Sequence, residues 1–225
     1  MAKSALILGS TGLIGRSLID VLNGERGEAF SKVNAAVRKV DMSLPNNGRI
    51  NQVKVDYEQL NQFQAFLNVD VIFCCLGTTI KVAGSKERFR RVDFEYVTQI
   101  AQMFSEANPQ GHFIVVSSLG ADPKSNVFYS KVKGQVEAFL KELPLNRVTV
   151  LRPSLLLGKR QDVRIGERMG ELVSLLLKPF LIGPLKKYRA IQASVVAKAM
   201  VELANLPAQI RFNVIESDHI EQIGH

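Results

Sequence analysis

The sequence predicts an α/β protein with a Rossmann fold: a doubly wound, mostly parallel sheet with a small C-terminal lobe on the substrate side. Three observations predict it. Short β-rich runs alternate with longer runs of helical spacing, a glycine-rich loop follows the first run, and residues 69–76 are almost continuously apolar, as in a strand buried on both faces. From 225 residues we expect a single domain (1–225), with a cofactor-binding core at 1–153 and a substrate-side segment with a closing strand at 154–225.

The predicted elements follow one another as βαβ units with right-handed crossovers. Strands are predicted at residues 4–8, 32–37, 53–55, 69–76, 112–117, 147–152 and 210–215. Helices are predicted at residues 13–23, 57–67, 89–108, 128–143, 167–177 and 195–206, with a charged loop at 158–166.

The chain is basic, with a net charge of +8 from 29 basic and 21 acidic residues. The basic residues are dispersed, as on a solvated surface, and the chain has no helix-turn-helix pattern, zinc spacing or RNP-like aromatic run. We therefore expect no nucleic-acid partner and no metal site. Cys74 and Cys75 are adjacent, so a disulfide between them is disfavoured and we expect reduced thiols in an intracellular protein.

The sequence also bears on location and assembly. No secretory signal precedes the first apolar run, and the longest apolar stretch, residues 172–182, is interrupted by Lys178 and Pro179 and is too short to span a bilayer. We expect a cytoplasmic monomer or homodimer without a transmembrane segment. Core packing is the default for residues 172–182, and a dimer interface or peripheral membrane contact stays open.

A glycine-rich loop follows the first predicted strand. The residues LGSTGLIG place Gly9, Gly12 and Gly15 at intervals of three, directly before a predicted helix. In dinucleotide-binding proteins such glycines permit the tight turn, the approach of the backbone to the pyrophosphate and close helix–strand packing, while the helix N-terminus supplies positive dipole. We predict a pyrophosphate site formed by Gly9, Ser10, Thr11, Gly12, Leu13, Ile14 and Gly15.

The second predicted strand ends in Arg38 and Lys39, where NAD-specific sites have an acidic residue for the ribose 2′-hydroxyl. Because a guanidinium suits a phosphate, the sequence predicts NADP(H) as cofactor. Asp56 is predicted to accept a hydrogen bond from the adenine amino group, to cap the following helix, or both. The residues after the fourth strand are also expected to line the cofactor groove: Leu76, Gly77, Thr78 and Thr79.

Tyr129 and Lys133 are four residues apart and share one face of a predicted helix. A phenol has a pKa of about 10, and a nearby lysine favours its phenolate. Tyr129 can therefore exchange a proton with a carbonyl or alcohol while hydride moves to or from the cofactor, and Lys133 can hold the nicotinamide ribose. Ser117 and Ser118 end the fifth strand, where a hydroxyl can hydrogen-bond the substrate oxygen. These residues predict an oxidoreductase acting on a small carbonyl or alcohol.

These motifs resemble those of the atypical short-chain dehydrogenase/reductases, and in particular the Tat-interacting-protein-like branch, which includes a fungal mitochondrial-surface member. The resemblance runs from residue 6 to residue 161, in the stretches LGSTGLIG, AAVRK, CLGTT, RVDFEYV, VVSSLGAD, YSKVKGQVE and LRPSLLLGKRQ. It implies NADP(H) and a Ser-Tyr-Lys centre at Tyr129, Lys133 and Ser118 or Ser117. It also places Arg152 and Pro153 in the segment that contacts the nicotinamide in extended relatives.

One position departs from the wider superfamily. Many members have Asn in the helix after the fourth strand, where it supports a water-linked proton path to the lysine, whereas this chain has Asp93. Compared with Asn, the carboxylate of Asp93 keeps the hydrogen-bond acceptor and lacks the N–H donor. Two alternatives to the oxidoreductase therefore stay open: a non-catalytic NADP(H) sensor or regulatory protein, and an enzyme like the nucleotide-sugar epimerases and dehydratases.

Overall fold

The computed structural model describes residues 2–158, 183–207 and 210–225. Its strands are β1 (Lys3–Leu8), β2 (Phe30–Val37), β3 (Ile50–Lys54), β4 (Val71–Cys74), β5 (His112–Val116), β6 (Arg147–Arg152), β7 (Leu156–Leu157), β8 (Ile191–Gln192) and β9 (Phe212–Glu216). Its α-helices are α1 (Leu13–Asn23), α2 (Ile80–Ala83), α3 (Lys86–Arg90), α4 (Tyr96–Ala107), α5 (Phe128–Glu142), α6 (Ala193–Asn205) and α7 (Ser217–Gly224). A π-helical segment, Arg91–Glu95, joins α3 to α4, and 3₁₀ turns lie at Glu25–Gly27, Leu60–Phe66 and Gly183–Tyr188.

Seven of the described strands form one parallel sheet in the order β3-β2-β1-β4-β5-β6-β9. The chain moves outward from β1 to β3, then crosses back to β4 and moves outward in the other direction. The strand order therefore reverses between β1 and β4, and the carboxyl ends of these strands form a crevice where α/β sheets of this kind bind ligands. The predicted doubly wound, mostly parallel fold is confirmed.

The sheet is buried on both faces, which explains its nearly continuous apolar strands. On one face α1 and α6 pack through residues such as Leu18, Ile19 and Met200, all fully buried. On the other face α4 and α5 pack through residues such as Phe104 and Leu140. All four residues of β4 are buried, as the apolar run in the sequence predicts.

Two predicted helices differ from the structure. The helix predicted at residues 57–67 is wrong, because only a 3₁₀ turn forms at Leu60–Phe66. The carboxylate of Asp56 accepts from the backbone N–H of Glu58 at 2.9 Å, so it closes a local turn instead of capping an α-helix. The helix predicted at 89–108 begins earlier, since Ser85 caps α3 by accepting from the N–H of Arg88 at 3.1 Å.

The C-terminal part closes the sheet. The predicted final strand is β9, which pairs with β6, and α7 follows it without having been predicted. The helix predicted at 167–177, the apolar stretch 172–182 and the predicted loop beyond residue 158 lie outside the described residues. Within the described residues, no helix combines the length and apolar character that crossing a bilayer requires.

Candidate functional site

A groove of about 390 Å³ opens at the crevice between β1 and β4. It brings together residues that the sequence predicts for the site from four separate segments: Thr11, Gly12, Leu13, Ile14, Leu76, Gly77, Thr78, Thr79, Ser117, Tyr129 and Lys133. Four further lining residues were not assigned to the site from the sequence: Arg16, Cys75, Val116 and Leu156. Asp93, noted in the sequence as a departure from the wider superfamily, also lines the groove. The glycine loop is therefore at one end of the same groove that contains the tyrosine and the lysine.

The glycines of the loop are required by close backbone packing. Gly9 has φ +78°, and a Cβ there would lie 2.6 Å from the carbonyl oxygen of Cys75. A Cβ at Gly15 would lie 2.2 Å from the carbonyl oxygen of Gly9. The hydroxyl of Ser10 is buried and donates to the carbonyl oxygen of Ile7 at 3.0 Å, so it serves the turn itself. Thr11 is exposed and lines the groove.

Tyr129 and Lys133 lie on α5 with different surroundings. Tyr129 is 36% exposed, and its ring packs 5.6 Å from the ring of Phe89, centroid to centroid. Lys133 is buried, and its Nζ lies 2.8 Å from Oδ1 of Asp93, whose side chain is fully buried. The helix thus presents an accessible phenol and a buried ammonium group to the same groove.

Asp93 joins the loop after β4 to helix α5. Its Oδ2 accepts from the backbone N–H of Thr78 at 2.8 Å, while its Oδ1 faces Lys133. A Cβ on Gly77 would lie 3.4 Å from Oδ1 of Asp93 and 3.6 Å from Nζ of Lys133, so the backbone passes directly over the ion pair. Burial is the largest single influence and acts to lower the pKa of Lys133. The charge and hydrogen bond of Asp93, together with Tyr129 and Cys74, outweigh it, so the pKa is raised above its ordinary value. Lys133 is therefore protonated at neutral pH.

The two serines after β5 have different partners. The hydroxyl of Ser117 donates to Oε1 of Glu137 at 2.5 Å, and Glu137 is also bound in a bidentate ion pair by Arg152. The Oγ of Ser118 is buried without a hydrogen-bond partner among the described residues. Glu137 was not predicted, although its spacing of four from Lys133 places it on the same helix face.

Several other predicted residues lie outside the groove lining, among them Gly9, Ser10, Gly15 and Ser118. Arg38, Lys39 and Asp56 are exposed. Arg152 ends β6 and binds the carboxylate of Glu137, and Pro153 follows it in the chain. Arg38 is near the buried hydroxyl of Tyr57, whose pKa is raised by burial while the N–H of Gly9 and the charge of Arg38 act in the opposite direction. Arg38 therefore lies directly after β2, close enough to Tyr57 for its charge to act on that phenol.

Arg16 is the basic residue that lines the groove at the glycine-loop end. It forms an ion pair with Asp41 and donates to Oγ of Ser43 at 2.9 Å and to the carbonyl oxygen of Thr11 at 3.1 Å. The signal in the sequence was its spacing of four from Gly12, which puts it one helical turn into α1.

Both cysteines are free, as predicted. Burial raises the pKa of Cys74 to about 12 and raises that of Cys75 well above its ordinary value. Both side chains are therefore thiols at neutral pH and poor nucleophiles, even though Cys75 lines the groove.

Comparison with known proteins identifies the family. The sequence profile of the HIM1 family matches residues 39–182, which is more than half of the chain. The chain belongs to the HIM1 family. This HIM1-family chain is 42% identical over 167 residues to protein HTATIP2 of Rattus norvegicus, covering 73% of this chain and 67% of that protein. The resemblance to the Tat-interacting-protein-like branch is confirmed.

Solved structures share the fold of this HIM1-family chain. A short chain dehydrogenase from Leptospira borgpetersenii with bound NAD+ has a TM-score of 0.71 at 13% identity, covering 98% of this chain and 93% of that chain. A short chain dehydrogenase from Burkholderia cenocepacia in complex with NADP has a TM-score of 0.65 at 16% identity, covering 98% of this chain and 91% of that chain. At these identities the likeness establishes the Rossmann fold.

The predicted cytoplasmic location is wrong. Yeast relatives are named as mitochondrial proteins, among them FMP52-1 of Scheffersomyces stipitis, which is 33% identical over 165 residues and covers 70% of this chain and 69% of that protein. Their names point to mitochondria. The prediction rested on the lack of a secretory signal, and the lack of that signal does not distinguish the cytoplasm from mitochondria.

Proposed function

We propose that this HIM1-family protein binds NADP(H) in the groove and transfers hydride between the nicotinamide and a small carbonyl or alcohol, with Tyr129 as general acid and base. The observation that supports the proposal is the continuity of one groove from the glycine loop to Tyr129 and Lys133. A pyrophosphate site and an acid/base pair are then in reach of one dinucleotide.

The residues present fit a dinucleotide. Gly12 lines the groove and is the N-cap of α1, so no side chain is present at the cap itself, where unpaired N–H groups and the helix dipole favour phosphate. Gly77 similarly leaves the backbone after β4 open beside Lys133. Two short chain dehydrogenases of the same fold hold NAD+ or NADP, which supports a nicotinamide dinucleotide. Once bound, the nicotinamide supplies or accepts the hydride.

The 2′-phosphate of NADP(H) would be held by Arg38 and Lys39. Both follow β2 directly and both are exposed, and Arg38 is close enough to Tyr57 for its charge to act on that phenol. A planar guanidinium fork binds phosphate oxygens in pairs, and no acidic residue occupies either position. Arg16 adds positive charge at the same end, although Asp41 already binds it.

In the reduction direction, Tyr129 donates its hydroxyl proton to the carbonyl oxygen as hydride reaches the carbonyl carbon, and in oxidation it takes that proton back. The partly exposed phenol is accessible to a substrate, and the ammonium of Lys133, held by Asp93, lines the same groove. We assign the hydrogen bond to the substrate oxygen to Ser118, because the hydroxyl of Ser117 is already donated to Glu137. Ser117 lines the groove and Ser118 does not, so the assignment rests on the buried Oγ of Ser118 having no hydrogen-bond partner among the described residues.

The test is a screen of aldehydes and ketones for NADPH consumption by the wild type and by Tyr129→Phe. Loss of the phenol proton should reduce turnover by about a hundredfold or more while the dissociation constant for NADPH stays unchanged. Tyr188→Phe is the matched control, because Tyr188 is 53% exposed and lies outside the groove lining. Equal activity in Tyr129→Phe and wild type would remove Tyr129 from the mechanism.

A second candidate is an NADP(H)-binding regulatory protein without turnover. The observation that favours it is the ion pair of Lys133 with Asp93, which neutralises the charge that favours a phenolate. This candidate predicts NADPH binding with no consumption against any of the carbonyl compounds. Clear consumption with one metabolite of this class would contradict it.

A further inference from the structure

We propose that Asp93 sets the relative affinity of this groove for oxidised and reduced nicotinamide. Its carboxylate cancels the positive charge of Lys133, which would otherwise repel the cationic oxidised ring and not the neutral reduced ring. This inference rests on the proposed function, since it takes the ligand of the groove to be NADP(H). Asp93 acts through Lys133 and is therefore a positioning residue for the cofactor.

The geometry holds the carboxylate in one place. Its Oδ1 lies 2.8 Å from Nζ of Lys133, and its Oδ2 accepts from the N–H of Thr78 at 2.8 Å. The side chains of Asp93 and Lys133 are 0% and 7% exposed, so solvent screens the pair little. Both residues line the groove, and Gly77 leaves the backbone above them without a side chain.

The charges around Lys133 come from few groups. The phenol of Tyr129, the thiol of Cys74 and the carboxylate of Asp93 are the groups that act on its ammonium among the described residues. Cys74 is a neutral thiol at neutral pH, since burial raises its pKa to about 12. Asp93 is thus the buried anion that balances the lysine.

The balance matters because the two cofactor forms differ by one charge at the ring. Oxidised nicotinamide is a cation, whereas reduced nicotinamide is neutral. If the nicotinamide lies at the end of the groove that Lys133 lines, an unbalanced lysine would disfavour binding of the oxidised form alone, and a balanced pair would bind the two forms nearly alike. Removing the charge of Asp93 should therefore weaken binding of NADP+ more than binding of NADPH, with a change on the order of tenfold in the ratio of dissociation constants.

The experiment measures dissociation constants of NADP+ and NADPH for the full chain, by calorimetry and by nucleotide fluorescence. The variants are Asp93→Asn, Asp93→Asn with Lys133→Gln, and Lys133→Gln alone. Asparagine keeps an oxygen that accepts from Thr78, so the loop contact is retained. The titrations are made at about pH 6, because burial lowers the pKa of a lysine without a counter-ion and a lower pH favours its protonated form.

Asp93→Asn should raise the ratio of the NADP+ constant to the NADPH constant about tenfold, which raises the midpoint potential of the bound two-electron couple by about 30 mV. The double variant should return the ratio towards the wild-type value. Lys133→Gln alone should shift it in the opposite direction, which tests the inference even if Asp93→Asn does not fold. Asp70→Asn is the matched control, since Asp70 binds Ser4 at the amino end of the sheet.

The outcomes separate the inference from the proposed function. Equal weakening of both cofactor forms in Asp93→Asn, with an unchanged ratio, would mean that Asp93 only supports the loop, and the inference would be overturned alone. Failure of the wild type to bind either NADP+ or NADPH would overturn the proposed function and this inference with it.

Discussion

Nζ of Lys133 lies 2.8 Å from Oδ1 of Asp93, and the two buried side chains join helix α5 to the loop after β4. The same carboxylate accepts from the N–H of Thr78. The position of the groove wall at Thr78 and the position of helix α5 are therefore coupled through one ion pair.

The first prediction concerns the stability of this pair. Lys133→Met leaves the carboxylate of Asp93 buried without a counter-ion, which should lower the free energy of unfolding by about 3 kcal/mol or more. Urea unfolding measures it. Lys131→Met is the matched control, because Lys131 is exposed on the same helix, and its effect should be about 0.5 kcal/mol or less. Similar losses in both variants would contradict the role of the ion pair.

The second prediction concerns the glycine loop. Gly15→Ala places a Cβ 2.2 Å from the carbonyl oxygen of Gly9, so the loop must shift. We expect a loss of about 3 kcal/mol in unfolding free energy and a loss of NADPH binding in the protein that remains folded. Thermal unfolding and NADPH titration check this.

Gly24→Ala serves as its control. Gly24 follows the same helix, and the nearest atoms to a Cβ there are 3.7 Å away, an ordinary contact. This variant should unfold and bind NADPH like the wild type. If Gly15→Ala behaves the same way, the loop does not depend on close backbone packing.

The third prediction separates the two serines. Ser117→Ala removes a hydrogen bond to Glu137 and should cost about 1 kcal/mol of stability. Ser118→Ala removes a hydroxyl without a partner among the described residues, so stability should be unchanged while turnover falls about a hundredfold. Unfolding and NADPH consumption are measured for both variants, and the reverse pattern would assign the substrate contact to Ser117.

The fourth prediction concerns pH. Burial, together with the charges of Arg147 and Lys3, lowers the pKa of His112 from 6.5 to about 3. The unfolded chain takes up this proton below pH 6.5 and the folded chain does not until about pH 3, so stability is present above 6.5 and is lost as the pH falls. The loss is about 1.4 kcal/mol per pH unit.

The measurement for His112 is urea unfolding at about pH 7 and about pH 5. His112→Gln should show a smaller loss between these values than the wild type does. His219→Gln should keep the wild-type loss, since His219 is exposed on α7. An equal loss in His112→Gln and wild type would show that another group causes the acid sensitivity.

Much of the fold could be predicted because its signals are local. Helix α1 has the predicted bounds, since an amphipathic run lies between two glycines, and β4 to β6 stand out as apolar runs. The helix predicted at 57–67 did not form. The Asp56 carboxylate accepts from the backbone N–H of Glu58, and such a local side-chain hydrogen bond competes with helix formation in a way that hydrophobic spacing does not reveal.

The site could be predicted only in part. Motif spacing brought out Gly9, Gly15, Tyr129 and Lys133, because each belongs to a short local pattern, the glycine spacing or the Tyr-Lys spacing of four. The pairing of Asp93 with Lys133 depends on a contact across 40 positions, and its π-helical setting in Arg91–Glu95 has no pattern in the sequence. Contacts between distant segments are set by the tertiary fold, and the sequence pattern alone does not contain them.

The central claim is that the groove binds NADP(H), and the most direct test compares dissociation constants of NADPH and NADH for the wild type and for Arg38→Ala. Arg26→Ala is the control, because Arg26 lies before β2, at the opposite end of that strand from Arg38. We predict that the wild type and the control bind NADPH at least about tenfold more tightly than NADH and that Arg38→Ala loses this preference. Tighter or equal binding of NADH by the wild type, or no binding of either nucleotide, would contradict the account.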